Sequence, residues 1–272
     1  MSFSEPSQRK RLGQVFLKDG NMIERILRSY ELHDQSKVLE VGCGAGALSI
    51  PLSERCASLV IVELDPQWLD LMTQRLGHLS HVRLIHSDIL DVDLAQLGLH
   101  GVQVLGNVPY YLSAKLLQWL QTQIGSVTDA IWMFQKEFAD KLLASPGTKS
   151  YTSLTVFTQF YFEIELLVKV PKTCFQPVPK VDSSVIRLRP RPVPYARLDE
   201  PLFFGMIKTL FWARRKTVAS CLAKGPFLSV PKTVLEREDF VGFAGLRGEV
   251  LGLDDFIRLY DILKDEGAFL IS

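Results

Sequence analysis

The chain has 272 residues, of which 47% are hydrophobic and 22% charged, close to the average for globular proteins. This composition excludes wholesale disorder, a collagen-like chain and a membrane bundle, and the length allows one or two domains with a large core. The formal net charge of +1 argues, by itself, against a nucleic-acid partner. The charge is uneven, however, because residues 1–168 carry 14 basic and 18 acidic groups whereas residues 169–272 carry 17 and 12. A basic second half is typical of a surface that faces a polyanion, although ordinary solvated charge would give the same count.

The four cysteines, Cys43, Cys56, Cys174 and Cys221, include no C-x-x-C pair. We therefore expect no metal site and a reduced intracellular protein. The first residues lack the apolar core of a secretory signal, and no stretch has the composition of a membrane span. These features predict a cytoplasmic protein that does not contact a membrane, and nothing in the sequence requires more than a monomer.

Strands and helices are predicted to alternate over the first half of the chain, which favours βαβ units and a parallel sheet. The predicted helices cover 21–33, 45–55 and 113–123, and a further helix opens at Asp65-Pro66. The predicted strands are the short apolar runs at 37–41, 59–63, 82–86, 102–106 and 130–134.

The pattern changes in the second half of the chain. Strands at 163–170 and 182–188 flank a loop with three prolines, and an extended proline-rich linker follows. From residue 200 the periodicity is helical, and it predicts helices over 200–224, 231–241 and 254–265. We therefore predict a Rossmann-like α/β domain over residues 1–194, with a lid at about 1–20, and a small all-helical domain over residues 195–272.

A glycine-rich loop follows the first buried strand. Gly42, Gly44 and Gly46 lie between this strand and a helix, where glycine lets the backbone approach a ligand closely. Glu63 and Asp88 end the next two strands, where carboxylates can bind ribose hydroxyls and an adenine amine. The loop and the two acids together predict a nucleotide-like cofactor at the ends of the strands.

Three interpretations of this loop are open. A dinucleotide fits the glycine spacing if Ala47 is taken as the last member of its fingerprint. That fingerprint does not include Glu40, which stands two residues before the first glycine. The pattern E-x-G-x-G-x-G instead resembles the S-adenosylmethionine loop of Rossmann-like methyltransferases, in which an acid suits a cationic cofactor. The third interpretation is a glycine-rich turn that binds nothing.

The tetrapeptide Asn107-Val108-Pro109-Tyr110 follows the fourth strand, and such a motif is typical of methyltransferases that act on planar amines. The lone pair of an aryl amine is delocalised, so two acceptors that take its hydrogens make the nitrogen a better nucleophile. The Asn107 oxygen and the Val108 carbonyl are candidates, and Pro109 restricts Val108 to an extended conformation. Tyr110 can stack on a base that has left its helix. The alternative is an Asn-x-Pro turn followed by a core tyrosine.

Taken together, these motifs resemble those of the ribosomal RNA adenine dimethyltransferase family, and the resemblance extends over about the whole chain. It implies S-adenosylmethionine as cofactor and dimethylation of adenine N6 on two adjacent adenosines in the 3′-terminal hairpin of small-subunit (16S) rRNA, in a pre-30S particle during ribosome biogenesis. The matching segments are 10–17, 40–49, 63–65, Asp88, 107–113, 135–137, 175–183 and 211–216.

The resemblance also implies roles for individual residues. Val15 and Leu17 should touch the cofactor through their backbone, Gly42 should line its methionine part, and Glu63 its ribose. Asp88 should bind the adenine, and Asn107 should contact both cofactor and target.

Two positions depart from the family pattern. Val15 stands where the family usually has Asn or His, which removes a side-chain contact, and Ser220 stands where Asn is common.

Basic residues suggest where RNA binds. Residues 169–197 hold seven basic residues and one acid, and residues 201–224 hold five and none. Phe175 is a candidate for stacking on the target base opposite Tyr110, and its alternative is a loop anchor in the core. A solvated helix face is the alternative for the basic cluster at 214–216. The candidate RNA contacts are Lys10, Arg11, Lys180, Arg214, Arg215 and Lys216.

Other functions remain open. The same chemistry would serve a large-subunit rRNA methyltransferase of the drug-resistance type, and the difference would lie in the C-terminal region. A ribosome-assembly factor with dispensable catalysis is a second alternative. A DNA or protein-glutamine methyltransferase is disfavoured, because such motifs more often carry two prolines.

Overall fold

The computed structural model describes residues 15–107, 109–192 and 198–270. The chain forms two compact units: unit 1 comprises Met1–Ala139 and Glu163–Pro190, and unit 2 comprises Asp140–Phe162 and Arg191–Ser272. The second unit thus differs from the domain predicted from residue 195, because it includes an earlier segment, 140–162. Aromatic rings of that segment pack against the first C-terminal helix, with ring centroids 5.0 to 5.1 Å apart.

Unit 1 contains a seven-stranded sheet flanked by helices, which confirms the predicted Rossmann-like α/β fold. The elements up to residue 190 are, in chain order, β1 (Phe16–Leu17), α1 (Gly20–Ser29), β2 (Lys37–Val41), α2 (Ser49–Ser53), β3 (Ser58–Glu63), α3 (Pro66–Leu76), β4 (Val82–His86), β5 (Val102–Gly106), α4 (Ser113–Thr122), β6 (Val127–Gln135), α5 (Lys136–Leu142), α6 (Ser153–Tyr161), β7 (Phe162–Val170), β8 (Phe175–Gln176) and β9 (Ser183–Pro190).

The strand order across the sheet is β4-β3-β2-β5-β6-β9-β7. Strands β2 to β6 run parallel, and β9 is antiparallel to β6. The central strands are apolar almost throughout because helices cover both faces, and Leu39, Ile61, Val104 and Ile131 have no exposed surface. The order reverses between β2 and β5, and open α/β sheets bind ligands outside the carboxyl ends of the strands at such a point.

The predicted helix over 45–55 is much shorter in the structure, where α2 covers only Ser49–Ser53. Gly44 and Gly46 have φ values of +47° and +86°, so this stretch is a turn and not a helix. The start of α3 is as predicted, because the Asp65 side chain accepts a hydrogen bond from the Gln67 N–H and Pro66 opens the helix.

The proline-rich loop before β9 contributes a strand that the sequence did not predict. Strand β8 pairs antiparallel with β1, with Phe16 opposite Gln176 and Leu17 opposite Phe175. The Lys18 N–H extends the pairing by donating to the Cys174 carbonyl at 2.9 Å. The segment that opens the described chain is therefore fixed to a loop more than 150 residues away in sequence.

Over the residues that the structure describes, the regular secondary structure of unit 2 is helical apart from one short strand pair. The predicted helical stretch over 200–224 is two helices, because residues 213–216 form a turn. The predicted all-helical domain also contains two strands that pair antiparallel. None of the helices within the described residues is both long and apolar enough to span a membrane. The elements after residue 198 are α7 (Glu200–Trp212), α8 (Val218–Lys224), β10 (Leu228–Ser229), α9 (Glu238–Ala244), α10 (Leu253–Asp265) and β11 (Phe269–Leu270).

Candidate active site

A pocket lies in unit 1 at the carboxyl ends of β2 and β5. Strand β1 lines one side of it, the glycine-rich loop another, and the residues after β5 a third. An adjoining hollow shares Gly42, Glu63 and Pro109 with the pocket and extends along the ends of β3 and β4 to Asp88. Together they bring these predicted residues into one cleft: Val15, Leu17, Gly42, Gly44, Glu63, Asp88, Asn107, Pro109 and Tyr110.

Gly46 lines neither the pocket nor the hollow. A Cβ atom there would lie 2.8 Å from the Met72 side chain, so this glycine faces the core between the loop and α3. The structure gives Gly46 a role in close packing, and its predicted contact with a cofactor stays a prediction.

Glu63 joins the two loops that frame the cleft. Its Oε2 accepts hydrogen bonds from the Cys43 N–H at 3.0 Å and the Gly44 N–H at 3.3 Å, and its Oε1 accepts from the Asp65 N–H at 2.9 Å. The Cys43 thiol also donates to Oε2, at 3.4 Å, so these bonds fix the orientation of the carboxylate and leave Oε1, which accepts one bond, as the oxygen able to accept a further hydroxyl. Asp88 is anchored similarly, because its Oδ1 accepts from the Leu90 N–H at 3.0 Å.

Glu40 also lines the pocket, and it is only 1% exposed. Its Oε2 has no hydrogen-bond partner within the described structure. Burial raises the pKa of Glu40 to about 8, with Glu63 adding to the rise and the Ser49 hydroxyl opposing it. The residues that line the pocket and the hollow include no Lys, Arg or His in the described part of the chain. The cleft therefore suits a ligand with positive charge.

Phe16 closes the pocket from the side of β1. A Cβ atom on Gly44 would lie 3.0 Å from the Phe16 ring, so only glycine permits this approach without a shift. The Phe16 ring also contacts Trp68 on α3, with centroids 5.1 Å apart. Strand β1 is thus held over the glycine loop by side-chain packing as well as by its pairing with β8.

Asn107 stands directly after β5, at the floor of the cleft. Its Nδ2 donates a hydrogen bond to the Val15 carbonyl at 3.3 Å. Because the amide nitrogen is committed to this backbone carbonyl, the amide has a defined orientation with Oδ1 as its remaining acceptor. Val108 lies outside the described residues, so the predicted role of its carbonyl stays a prediction.

Tyr110 lines the same pocket, in a short turn of 3₁₀ helix that precedes α4. Its phenolic oxygen lies 2.8 Å from the Ser183 Oγ, at the first residue of β9. Its carbonyl accepts a hydrogen bond from the Ser113 Oγ at 2.8 Å. Burial raises the pKa of the Tyr110 phenol, and the hydrogen bond to Ser183 opposes the rise.

The prediction that Phe175 stacks on a target base is not supported by its position. Phe175 is 3% exposed and belongs to a hydrophobic cluster with Leu17, Cys174 and Val185. A buried ring offers no free face, and Phe175 does not line the pocket. The structure favours the alternative, in which this ring anchors the proline-rich loop in the core.

The candidate RNA contacts differ in their surroundings. Lys180, Arg215 and Lys216 are exposed, and the last two lie in the turn between α7 and α8. Arg214, in contrast, donates from Nε and Nη2 to the Glu249 Oε2 at 2.9 and 2.7 Å. Its charge is engaged within unit 2, which makes it a weaker candidate than its neighbours. Lys10 and Arg11 lie outside the described residues.

Sequence reasoning overlooked two residues next to the motif, Phe16 and Ser183. Phe16 belongs to the segment that the family resemblance covers, but its packing on Gly44 requires the pairing of β1 with β8. Ser183 directly follows the strand start that the sequence predicted, yet its hydroxyl meets Tyr110 from a position 73 residues away in the chain. No periodicity or motif signals such a contact.

Solved structures resemble this fold. A crystal structure of a dimethyladenosine transferase from Plasmodium falciparum superposes with a TM-score of 0.81 and 21% identity, over 93% of this chain and 98% of the other. The crystal structure of the 23S rRNA methyltransferase ErmE superposes with a TM-score of 0.70 and 27% identity, over 92% and 99%. Both have the fold of this chain over nearly its whole length.

Sequence relatives are more similar. The proteins named ribosomal RNA small subunit methyltransferase A from Listeria innocua and from Streptococcus pneumoniae (strain P1031) are 37% and 35% identical to this chain. The matches cover 94% and 95% of the chain, and 91% and 93% of the relatives. The family model described as ribosomal RNA adenine dimethylase matches residues 6–232. The chain therefore belongs to the ribosomal RNA adenine dimethylase family.

Proposed function

We propose that this protein is an S-adenosylmethionine-dependent methyltransferase that dimethylates N6 of two adjacent adenosines in the 3′-terminal hairpin of small-subunit rRNA during ribosome biogenesis. Its relatives at 35 to 37% identity carry the name of a small-subunit rRNA methyltransferase. The observation that carries the proposal is Asn107, whose amide nitrogen is bonded to Val15 and whose oxygen is left as an acceptor beside an acidic cleft.

The cleft fits S-adenosylmethionine by the chemistry of its lining. The cofactor carries an ammonium group and a sulfonium, and the buried Glu40 and Glu63 carboxyls face a pocket with no basic side chain among its described lining residues. Glu63 and Asp88, at the ends of successive strands, are the candidates for the ribose hydroxyls and the adenine amine. When bound, the cofactor supplies a methyl group on a positively charged sulfur.

The protein's own residues prepare the target amine. Asn107 Oδ1 and the Val108 carbonyl accept its two hydrogens, which localises the nitrogen lone pair towards the cleft. Tyr110 stacks on the flipped adenine, a contact worth about 1–3 kcal/mol per base. No side chain is needed as a general base, because positioning and orientation supply most of the acceleration and the methylated nitrogen loses a proton readily.

We expect the exposed basic residues Lys180, Arg215 and Lys216, together with Lys10 and Arg11, to contact RNA phosphates. Changing Arg215 and Lys216 to Glu should weaken RNA binding. The slope of the logarithm of the binding constant against the logarithm of the salt concentration should become shallower by about 0.7–0.9 per lost phosphate contact. The matched control is Lys232→Glu, which changes an exposed lysine of unit 2 outside this turn. An unchanged salt slope in the double variant would indicate that RNA binds to another surface of the protein.

The proposed substrate implies action in the cytoplasm. We expect the protein to act as a monomer and without a metal, because methyl transfer requires neither a second subunit nor a Lewis acid.

The experiment that tests the function offers labelled S-adenosylmethionine and three substrates: under-methylated small ribosomal subunits, large subunits and DNA. We expect label only in small-subunit rRNA, on two adjacent adenosines. Transfer confined to large-subunit rRNA would favour the drug-resistance type of activity. Tight binding to pre-ribosomes without transfer would favour an assembly factor.

A further inference from the structure

Tyr110 is held by one hydrogen bond at its backbone and by another at the end of its side chain. Its backbone carbonyl accepts the Ser113 hydroxyl at 2.8 Å, and its phenolic oxygen lies 2.8 Å from the Ser183 hydroxyl. A tyrosine has only two side-chain torsions, so anchoring both ends of the residue limits the plane that its ring can adopt. Stacking on a base needs only an aromatic face, which phenylalanine also provides. The hydroxyl therefore has a task other than the stacking contact itself.

Ser183 is held firmly enough to perform that task. It is 1% exposed and pairs with Gln135, the last residue of β6. The carbonyl of the preceding residue, Asp182, accepts from the Lys136 N–H at 2.9 Å. The Asp182 carboxylate also accepts from the Lys172 N–H at 2.9 Å, which closes the proline-rich loop onto the start of β9.

Ser183 does not line the pocket, so it does not touch a ligand there. We propose that Ser183 is a positioning residue for methyl transfer, whose buried hydroxyl holds the Tyr110 ring in the plane that stacks on the target adenine. This inference rests on the proposed function. It assigns the end of the proline-rich loop a role in orienting the target base.

The test compares Ser183→Ala with Ser184→Ala in the full chain. Both serines are buried in β9, and their side chains point to opposite faces of the sheet. Loss of one neutral hydrogen bond predicts a kcat for Ser183→Ala about three- to ten-fold below the wild type. The KM for S-adenosylmethionine should not change. Ser184→Ala should keep the wild-type kcat.

A double-mutant cycle separates positioning from general loosening of the strand. Tyr110→Phe should lower kcat about as much as Ser183→Ala, and the double variant should be no worse than either single one. Ser183→Thr keeps a hydroxyl and should recover part of the loss. With 2-aminopurine at the target position, both single variants should change the fluorescence of the bound RNA, because stacking of the flipped base is altered.

The inference is overturned if Ser183→Ala keeps the wild-type kcat, or if the two single effects multiply in the double variant. If Ser183→Ala does not fold, Tyr110→Phe removes the same hydrogen bond from the other side, and a wild-type kcat for that variant overturns the inference. Failure of the proposed function would look different, since the wild-type protein itself would then transfer no methyl group to small subunits.

Discussion

The two edges of the central sheet in unit 1 contain buried carboxyl groups in different surroundings, Asp129 at the amino ends of the strands and Glu40 and Glu63 at the carboxyl ends. At the amino ends of the strands, Arg187 is 3% exposed and lies 3.3 Å from the buried carboxylate of Asp129. It also lies 3.0 Å from Glu31 and 3.6 Å from Glu165, whose side chains are exposed. At the carboxyl ends, Glu40 and Glu63 line a pocket whose described residues include no basic side chain. One edge supplies its own cation, and the other does not.

Because, among the described residues, only the amino edge pairs its buried carboxylate with a cation, mutations at the two edges should have different consequences. A buried ion pair is costly to break because the remaining charges have lost their hydration and have no partner. A buried carboxyl without a cation is itself costly, and burial accordingly raises the pKa of Glu40. The amino edge should therefore respond to mutation with a loss of stability. The carboxyl edge should respond with a loss of ligand binding or catalysis.

The largest expected effect on stability comes from Arg187→Met, which leaves the buried Asp129 carboxylate without its cation. We expect a decrease of about 3–5 kcal/mol in the free energy of unfolding, measured by urea denaturation. Arg189→Met is the matched control, since Arg189 is 51% exposed and lies 3.7 Å from the same Glu31. It should cost about 1 kcal/mol or less. Equal losses in the two variants would contradict the contrast between the edges.

Asn107→Ala is expected to have the largest effect at the carboxyl edge. Loss of one pre-organised hydrogen bond to the reacting group predicts a decrease of roughly 100-fold or more in the rate of methyl transfer. RNA affinity and the urea midpoint should stay near the wild-type values, because Asn107 gives up only a 3.3 Å bond to Val15. A variant that transfers methyl groups at the wild-type rate would refute the assigned role.

Gly44→Ala should moderately reduce both the stability of the fold and the binding of S-adenosylmethionine. The left-handed φ of +47° costs an L-residue about 1–2 kcal/mol, and the added Cβ would press on the Phe16 ring. We expect a lower urea midpoint and weaker binding of S-adenosylmethionine by calorimetry. Gly20→Ala, at the start of α1 with open space around it, should change neither. Wild-type affinity in Gly44→Ala would show that Phe16 does not shape the cofactor pocket.

A further prediction concerns the dependence of stability on pH. Folded Glu40 holds a proton up to a pH of about 8, whereas in the unfolded chain its pKa returns to about 4.5. The unfolded state therefore binds fewer protons between these values, and Glu40 lowers the stability of the folded state as the pH rises through this window. Glu40→Gln should gain stability relative to the wild type from pH 4.5 to 8. The exposed Glu54→Gln should show no such trend.

If the stability difference between Glu40→Gln and the wild type does not change over that range, the Glu40 carboxyl does not carry the proton. A bound cation would favour the ionised form of Glu40 and so lower its pKa. With S-adenosylmethionine present, the change with pH in the stability difference between Glu40→Gln and the wild type should therefore occur at lower pH.

The sequence by itself determined the parts of the fold that depend on local pattern. The strands at 37–41, 82–86 and 102–106 are observed as predicted, because each is a short, mainly apolar run that ends in a recognisable turn. Residues that follow the strands of a parallel sheet meet at one edge of it, so the positions of Glu63, Asp88 and Asn107 directly after predicted strands indicated that they share one cleft.

Only the tertiary structure decided what depends on contacts between distant segments. It placed Phe175 in the core, turned Gly46 towards Met72, joined Arg214 to Glu249, and grouped residues 140–162 with the C-terminal helices. It also brought the Val15 carbonyl to Asn107 and the Ser183 hydroxyl to Tyr110. Hydrogen bonds and side-chain packing across such separations leave no periodic trace in a sequence, whereas burial of a strand or a helix face does.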